Sequence, residues 1–181
     1  MKIVNAQKDD SGWTGSGFPK LSKGPDLIVD VLKELSNQGC FTSIDLIGPD
    51  RVFIRSELDN LDLKYVYHGF ITDDQVSQVY REMDIYLCCS RVEGGPLGTF
   101  ESYLRGCTVV STPVGMMRDF SDLEGVFVSS RISKQSIVET CLEAVNYHKK
   151  RGGKCDFVYR EDALRELSPK YFCEAWYNVT R

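Results

Sequence analysis

The chain has 181 residues, 42% of them hydrophobic and 27% charged, with a formal net charge of −4. That length fits one domain with a core of its own. A net-acidic chain lacks the basic surface that nucleic-acid binding normally needs. No apolar run reaches the ~18 residues that cross a bilayer, and the N-terminus has no apolar leader. The seven cysteines, at 40, 88, 89, 107, 141, 155 and 173, form no Cys-x-x-Cys pair. Neither a disulfide framework nor a zinc site is favoured, and a reduced, cytoplasmic chain is expected.

In chain order, Lys2–Ala6 reads as a short first strand. A polar loop follows to about Leu21. Its glycines at 12, 15 and 17 have the wrong spacing for a dinucleotide fingerprint, and no helix opens directly after them. Pro25 suits the first position of a helix whose apolar face is Leu27, Ile28, Val31, Leu32 and Leu35. Residues 42–47 predict a second strand, stopped by Gly48-Pro49. Residues 51–63 are weakly patterned, with room for a short helix. Residues 64–68 predict a third strand, and Thr72-Asp-Asp-Gln75 has the form of a capping box opening a helix to about Met83. Asp73 and Asp74 are explained by their place at that helix N-terminus rather than as metal ligands. Asp59 and Asp62 read as solvated charges. His68 reads as a strand histidine, and Cys88 and Cys89 as small packing residues.

The stretch from Ser90 to Gly115 organises the rest. An apolar run, 84–89, precedes a Gly94-Gly95-Pro96 turn, a short helix, and a second apolar run at 107–111. Strand, glycine-rich loop and helix N-terminus together make an anion site, because the first N–H groups of a helix have no partner within it. With Pro96 in the first turn, the N–H groups of Leu97, Gly98 and Thr99 are expected to face a ligand. Gly94, Gly95 and Gly98 carry no side chain to keep it away. Glu93 and Glu101 flank the loop, and carboxylates beside an anion are better used on neutral hydroxyls at either end of it.

Further strands and helices follow: a sixth strand near 125–129, a helix from Ser133 to about Lys149, and a helical pattern from about Glu161 in the tail. Alternating strands and helices predict an α/β, Rossmann-like domain, with about six parallel strands and helices on both faces. Its ligand edge is the carboxyl end of the strands, after residues 6, 48, 69, 90 and 112. The domain is expected to fill residues 1–181, with a core over about 1–150 and a helical tail over about 155–181.

Glu93-x7-Glu101 followed by Arg105-Gly-Cys-Thr-Val-Val-Ser-Thr-Pro-Val-Gly115 resembles the donor-site signature of the family 4 retaining glycosyltransferases, which have the two-domain GT-B fold. Lys23-Gly24, Ile44–Gly48, Tyr65–Gly69 and Gln78–Asp84 extend the resemblance, in order, over roughly residues 20 to 145. It implies the donor-binding, C-terminal half of such an enzyme, with the N-terminal acceptor domain absent. The reaction implied is sugar transfer from a nucleotide-diphosphate sugar, with retention and without a metal or other cofactor. Glu93 would orient the donor sugar, Glu101 would accept from the ribose hydroxyls, and Lys23 would hold the diphosphate. Phe70 and Ile71 fall where the family wraps the base with backbone groups, a position that packing explains equally well. The acceptor, a glycan, lipid or protein, would be held by the other domain, and no transmembrane segment is expected. Where the family commonly has Gly-Arg after the first strand, this chain has Ala6-Gln7-Lys8. Lys8 or Lys20 is the candidate replacement for that arginine. Its alternatives are an inactive GT-B-like binding or interaction domain, or an epimerase or hydrolase built on the same half.

Overall fold

The computed structural model describes residues 1–7 and 18–152. Six strands, Lys2–Ala6 (β1), Ser43–Ile47 (β2), Tyr65–Gly69 (β3), Ile85–Cys88 (β4), Thr108–Ser111 (β5) and Val126–Val128 (β6), form one sheet in the order β3-β2-β1-β4-β5-β6. Every pairing is parallel, with Ile3 level with both Ile44 and Ile85, and Ile85 level with Thr108. The expected α/β sheet is present with its strands in the expected places. The expected tail helix and the glycine loop at 12–17 lie outside the described residues.

Both faces of the sheet are buried, and the period-2 alternation of side chains divides each strand between them. Ile3, Ile44, Leu46, Ile85, Leu87 and Val110 point into one core, closed by the helices Pro25–Asn37 (α1), Val52–Asn60 (α2) and Lys134–Lys150 (α5). Val4, Ile47, Tyr86, Cys88 and Val109 point into the other, closed by Asp73–Glu82 (α3) and Leu97–Tyr103 (α4). Cys88 and Cys89 are fully buried on opposite faces, as small packing residues should be.

Local signals account for most helix ends. Pro25 sits in the first turn of α1, behind Gly24 in the left-handed conformation. Both halves of the Thr72 capping box form: Gln75 N–H donates to Thr72 Oγ1 at 3.4 Å, and Thr72 N–H donates to Gln75 Oε1 at 2.9 Å. The weakly patterned segment folds as α2 because Ile54 and Leu58, one turn apart, both reach the first core. Two 3-10 turns, Leu21–Lys23 and Gly115–Arg118, have no counterpart in the sequence reading.

Two polar residues hold the β1–β2–β3 side together. Arg51, only 1% exposed, donates to the carbonyls of Gln7 and Ile47 and to Asn5 Oδ1. His68 lies in β3 as expected, its Nε2 2.7 Å from Oδ1 of buried Asp45 on the neighbouring strand.

Candidate functional site

The strand order reverses between β1 and β4, and the crevice outside a switch point of this kind is where open α/β sheets take ligands. A cleft of about 320 Å3 opens there, lined by Ala6, Gln7, Lys23, Tyr86, Glu93, Gly95, Pro96, Leu97 and Gly98. Five of the residues singled out from the sequence, Lys23, Glu93, Gly95, Leu97 and Gly98, thus meet in one place. Gly94, Thr99, Glu101, Phe70 and Ile71 are not among the lining residues.

The β4–α4 loop is clamped from both sides. On one side, the N–H groups of Arg91 and Val92 donate to the carbonyl of Ser22, at 2.8 and 3.2 Å. The Arg91 guanidinium also holds Asp26 through two bonds, 2.7 and 2.6 Å, and the Leu21 carbonyl at 2.8 Å. That bidentate bond, more than the bare charge, holds the Asp26 carboxyl below its usual value against the opposing effect of burial. On the other side, Met116 N–H donates to the Gly94 carbonyl at 3.0 Å, and Thr112 Oγ1 donates to the Ser90 carbonyl at 2.5 Å. A loop tied this way is held in one geometry by the elements on either side of it.

Lys23 ends the 3-10 turn that receives the Arg91 contacts, and its ammonium donates to Glu93 Oε1. Ser90 Oγ donates to the same oxygen at 3.0 Å, and Gln7 Nε2 donates to Ser90 Oγ at 2.7 Å. The floor is Tyr86, whose hydroxyl reaches the Ala6 carbonyl at 3.3 Å. Burial raises the Tyr86 pKa well above its usual value, so the hydroxyl stays neutral.

One detail differs from the sequence expectations. Helix α4 starts at Leu97, with Pro96 as its N-cap, and Thr99 N–H is spent on the Pro96 carbonyl at 2.9 Å. Among the described residues the N–H groups of Leu97 and Gly98 have no backbone partner, while Thr99 is buried, with no hydrogen-bond partner for its Oγ1. Gly98 is demanded by what lies behind it: a Cβ there would stand 2.5 Å from the Tyr86 hydroxyl and 3.4 Å from that of Tyr80. Glu101 is exposed, while Phe100 stacks edge-on with Phe120 and Tyr103 donates to the Glu124 carbonyl.

Phe70, 89% exposed, follows the end of β3, and Ile71 is half-buried against the second core. Lys20 is the N-cap of the Leu21–Lys23 turn, and Lys8 lies outside the described residues. Gln7, the residue in the family's arginine position, uses its amide on Ser90. Sequence reasoning gave Ser90 and Tyr86 no role. Ser90 stands three residues before Glu93, but its bond to Gln7 spans 83 residues and only the fold creates it.

A profile of the family described as "Glycosyl transferases group 1" matches residues 11–146, three quarters of the chain. The chain belongs to this family. Similar solved structures agree in fold. A TarM variant from S. aureus, in complex with Fondaparinux, alpha-GlcNAc-glycerol and UDP, superposes with a TM-score of 0.72 at 14% identity over 98% of this chain and 35% of that one. The catalytic domain of cholesterol-alpha-glucosyltransferase from Helicobacter pylori gives 0.66 at 16% identity, over 92% of this chain and 98% of that one. Anabaena HepE with UDP and glucose gives 0.59 at 18% identity, over 93% and 48%. The chain thus spans about a third of the TarM chain and about half of the HepE chain. No curated protein matches the sequence. The described fold of this group 1 glycosyltransferase is the C-terminal type of GT-B domain. Among the described residues, no helix is long and apolar enough to cross a membrane.

Proposed function

We propose that the cleft is the donor site of a retaining glycosyltransferase and holds a nucleotide-diphosphate sugar. The observation that carries this reading is the convergence of Lys23, Glu93 and the first residues of α4, Leu97 and Gly98, on one crevice at the sheet's switch point. Lys23 and the two N–H groups offer positive charge and donors to the diphosphate, and they stabilise the charge that develops on it as the sugar leaves. Glu93, with Oε1 braced by Ser90, offers its carboxylate to the sugar's hydroxyls. Glu101, exposed one turn into α4, accepts from the ribose in this reading. Phe70 and Ile71 border the base through their backbone. We assign no metal to the reaction, since Lys23 and the N–H groups supply the positive charge.

Transfer needs a second wall to hold the acceptor, and in this reading a further domain supplies it. The test is a calorimetric titration of the protein with UDP, GDP and ADP, repeated on Glu101→Ala. Saturable binding of one diphosphate, weakened by about 1–3 kcal/mol in the variant, is expected. A folded protein that binds none of the three overturns the reading.

A further inference from the structure

The cleft contains an ion pair. Lys23, the cation assigned to the diphosphate, donates to Glu93, the carboxylate assigned to the donor sugar. Both side chains are largely shielded, 27% and 14% exposed, so the attraction is less damped by solvent than in a surface pair. Glu93 is also braced: Ser90 Oγ holds the oxygen that faces Lys23, and Gln7 Nε2 holds Ser90. Gln7 is neutral where an arginine would offer a second cation. Among the described residues that line the cleft, Lys23 is the only one that carries a positive charge.

We propose that Glu93 is a built-in competitor of the diphosphate for Lys23. Resting on the donor-site reading above, this goes beyond it. An arriving diphosphate must take the ammonium from Glu93, and the intact donor compensates by giving the released carboxylate sugar hydroxyls to hold. The product diphosphate brings no sugar. Glu93 then returns to Lys23 and weakens the product's hold on the site. The braced carboxylate thus favours donor over product, using one cation and one anion 70 residues apart in sequence.

The experiment titrates UDP, GDP and ADP into the wild type, Glu93→Gln, Lys23→Met and the double variant. Glutamine keeps the size of the side chain and can still accept from Ser90, so the cleft should keep its shape. Glu93→Gln is expected to tighten the best-binding diphosphate about fivefold to tenfold, ~1–1.4 kcal/mol. Lys23→Met is expected to weaken binding and to abolish the gain in the double variant. Unchanged or weaker binding by Glu93→Gln overturns the competition while leaving the donor site standing. A gain that persists without Lys23 also overturns it, since it would come from the general field of the carboxylate. If neither the wild type nor Glu93→Gln binds any diphosphate, both readings fall together.

Discussion

Gly24 lies directly against the main-chain carbonyl of Cys89. A Cβ at Gly24 would stand well inside the 3.0 Å that real Cβ atoms essentially never cross, and the residue has φ +65°. Through this contact the start of α1 meets the end of β4, and Lys23 is carried to the cleft one residue earlier. Gly24→Ala is expected to cost at least about 3 kcal/mol, since left-handed strain and a backbone clash act together. Gly39 has nearly the same φ, +64°, but nothing within 4 Å of its Cβ position. Gly39→Ala should therefore cost only about 1 kcal/mol. Urea denaturation of the two variants separates the terms, and equal losses would show that the Cys89 contact is loose.

The Asp26–Arg91 pair gives the clamp a pH dependence whose sign is fixed. Arg91 lowers the folded-state pKa of Asp26 below its ordinary 3.8. A depressed carboxyl contributes stability above its unfolded pKa and loses it as pH falls through the folded value. Both side chains are about one-third exposed, so the pair is worth about 0.5–1 kcal/mol at neutral pH. Asp26→Asn should lower the unfolding free energy at pH 7 by that amount. The gap between variant and wild type should close progressively below about pH 4. A gap that is constant down to pH 2 would mean the loss is one of packing and not of charge.

Much of this molecule is written in local pattern. The six strands are legible because each is an apolar run bounded by turn residues, and α3 because Thr72 and Gln75 spell its start. The weak pattern at 51–63 reflects a helix that buries only Ile54 and Leu58 and leaves Val52 and Ser56 to solvent. At the site, Glu93, Glu101 and Lys23 stood out through their resemblance to a known arrangement. What was illegible depends on contacts between distant residues. The Gln7–Ser90 bond, the bond from the Tyr86 floor to Ala6 and the Arg51 anchor on β1 join segments 44 or more residues apart. The fate of Thr99 N–H was hidden for another reason: a tight turn at Pro96 and a full helical turn look alike in sequence.

Arg51 supports the site from below. Its guanidinium serves three acceptors, the Gln7 and Ile47 carbonyls and Asn5 Oδ1, and Asn5 Nδ2 in turn donates to the Leu87 carbonyl at 2.8 Å. The ends of β1, β2 and β4 thus share one buried polar network. Arg51→Met keeps much of the volume but strands those acceptors, and the expected loss is about 2–4 kcal/mol. Because Gln7 would lose an anchor, the proposed diphosphate binding should weaken as well. Denaturation and calorimetry on the same variant check both effects. A stability loss below about 1 kcal/mol would show that water replaces the guanidinium freely.

The Tyr86 hydroxyl and Gly98 make a coupled pair that tests why the loop needs a glycine. An added methyl at Gly98 meets the hydroxyl at 2.5 Å, the ring carbon bearing it at 3.3 Å and the Tyr80 hydroxyl at 3.4 Å. The clash is therefore mostly with one oxygen on a fully buried ring that has little room to move. Gly98→Ala should destabilise the wild type by about 1–3 kcal/mol. Tyr86→Phe removes that oxygen and its 3.3 Å bond to the Ala6 carbonyl, costing about 1 kcal/mol alone. In the double variant the alanine should cost at least about 1 kcal/mol less than it does beside tyrosine, a coupling a double-mutant cycle resolves. Strict additivity would mean that the glycine is held by the loop's backbone and not by the tyrosine behind it.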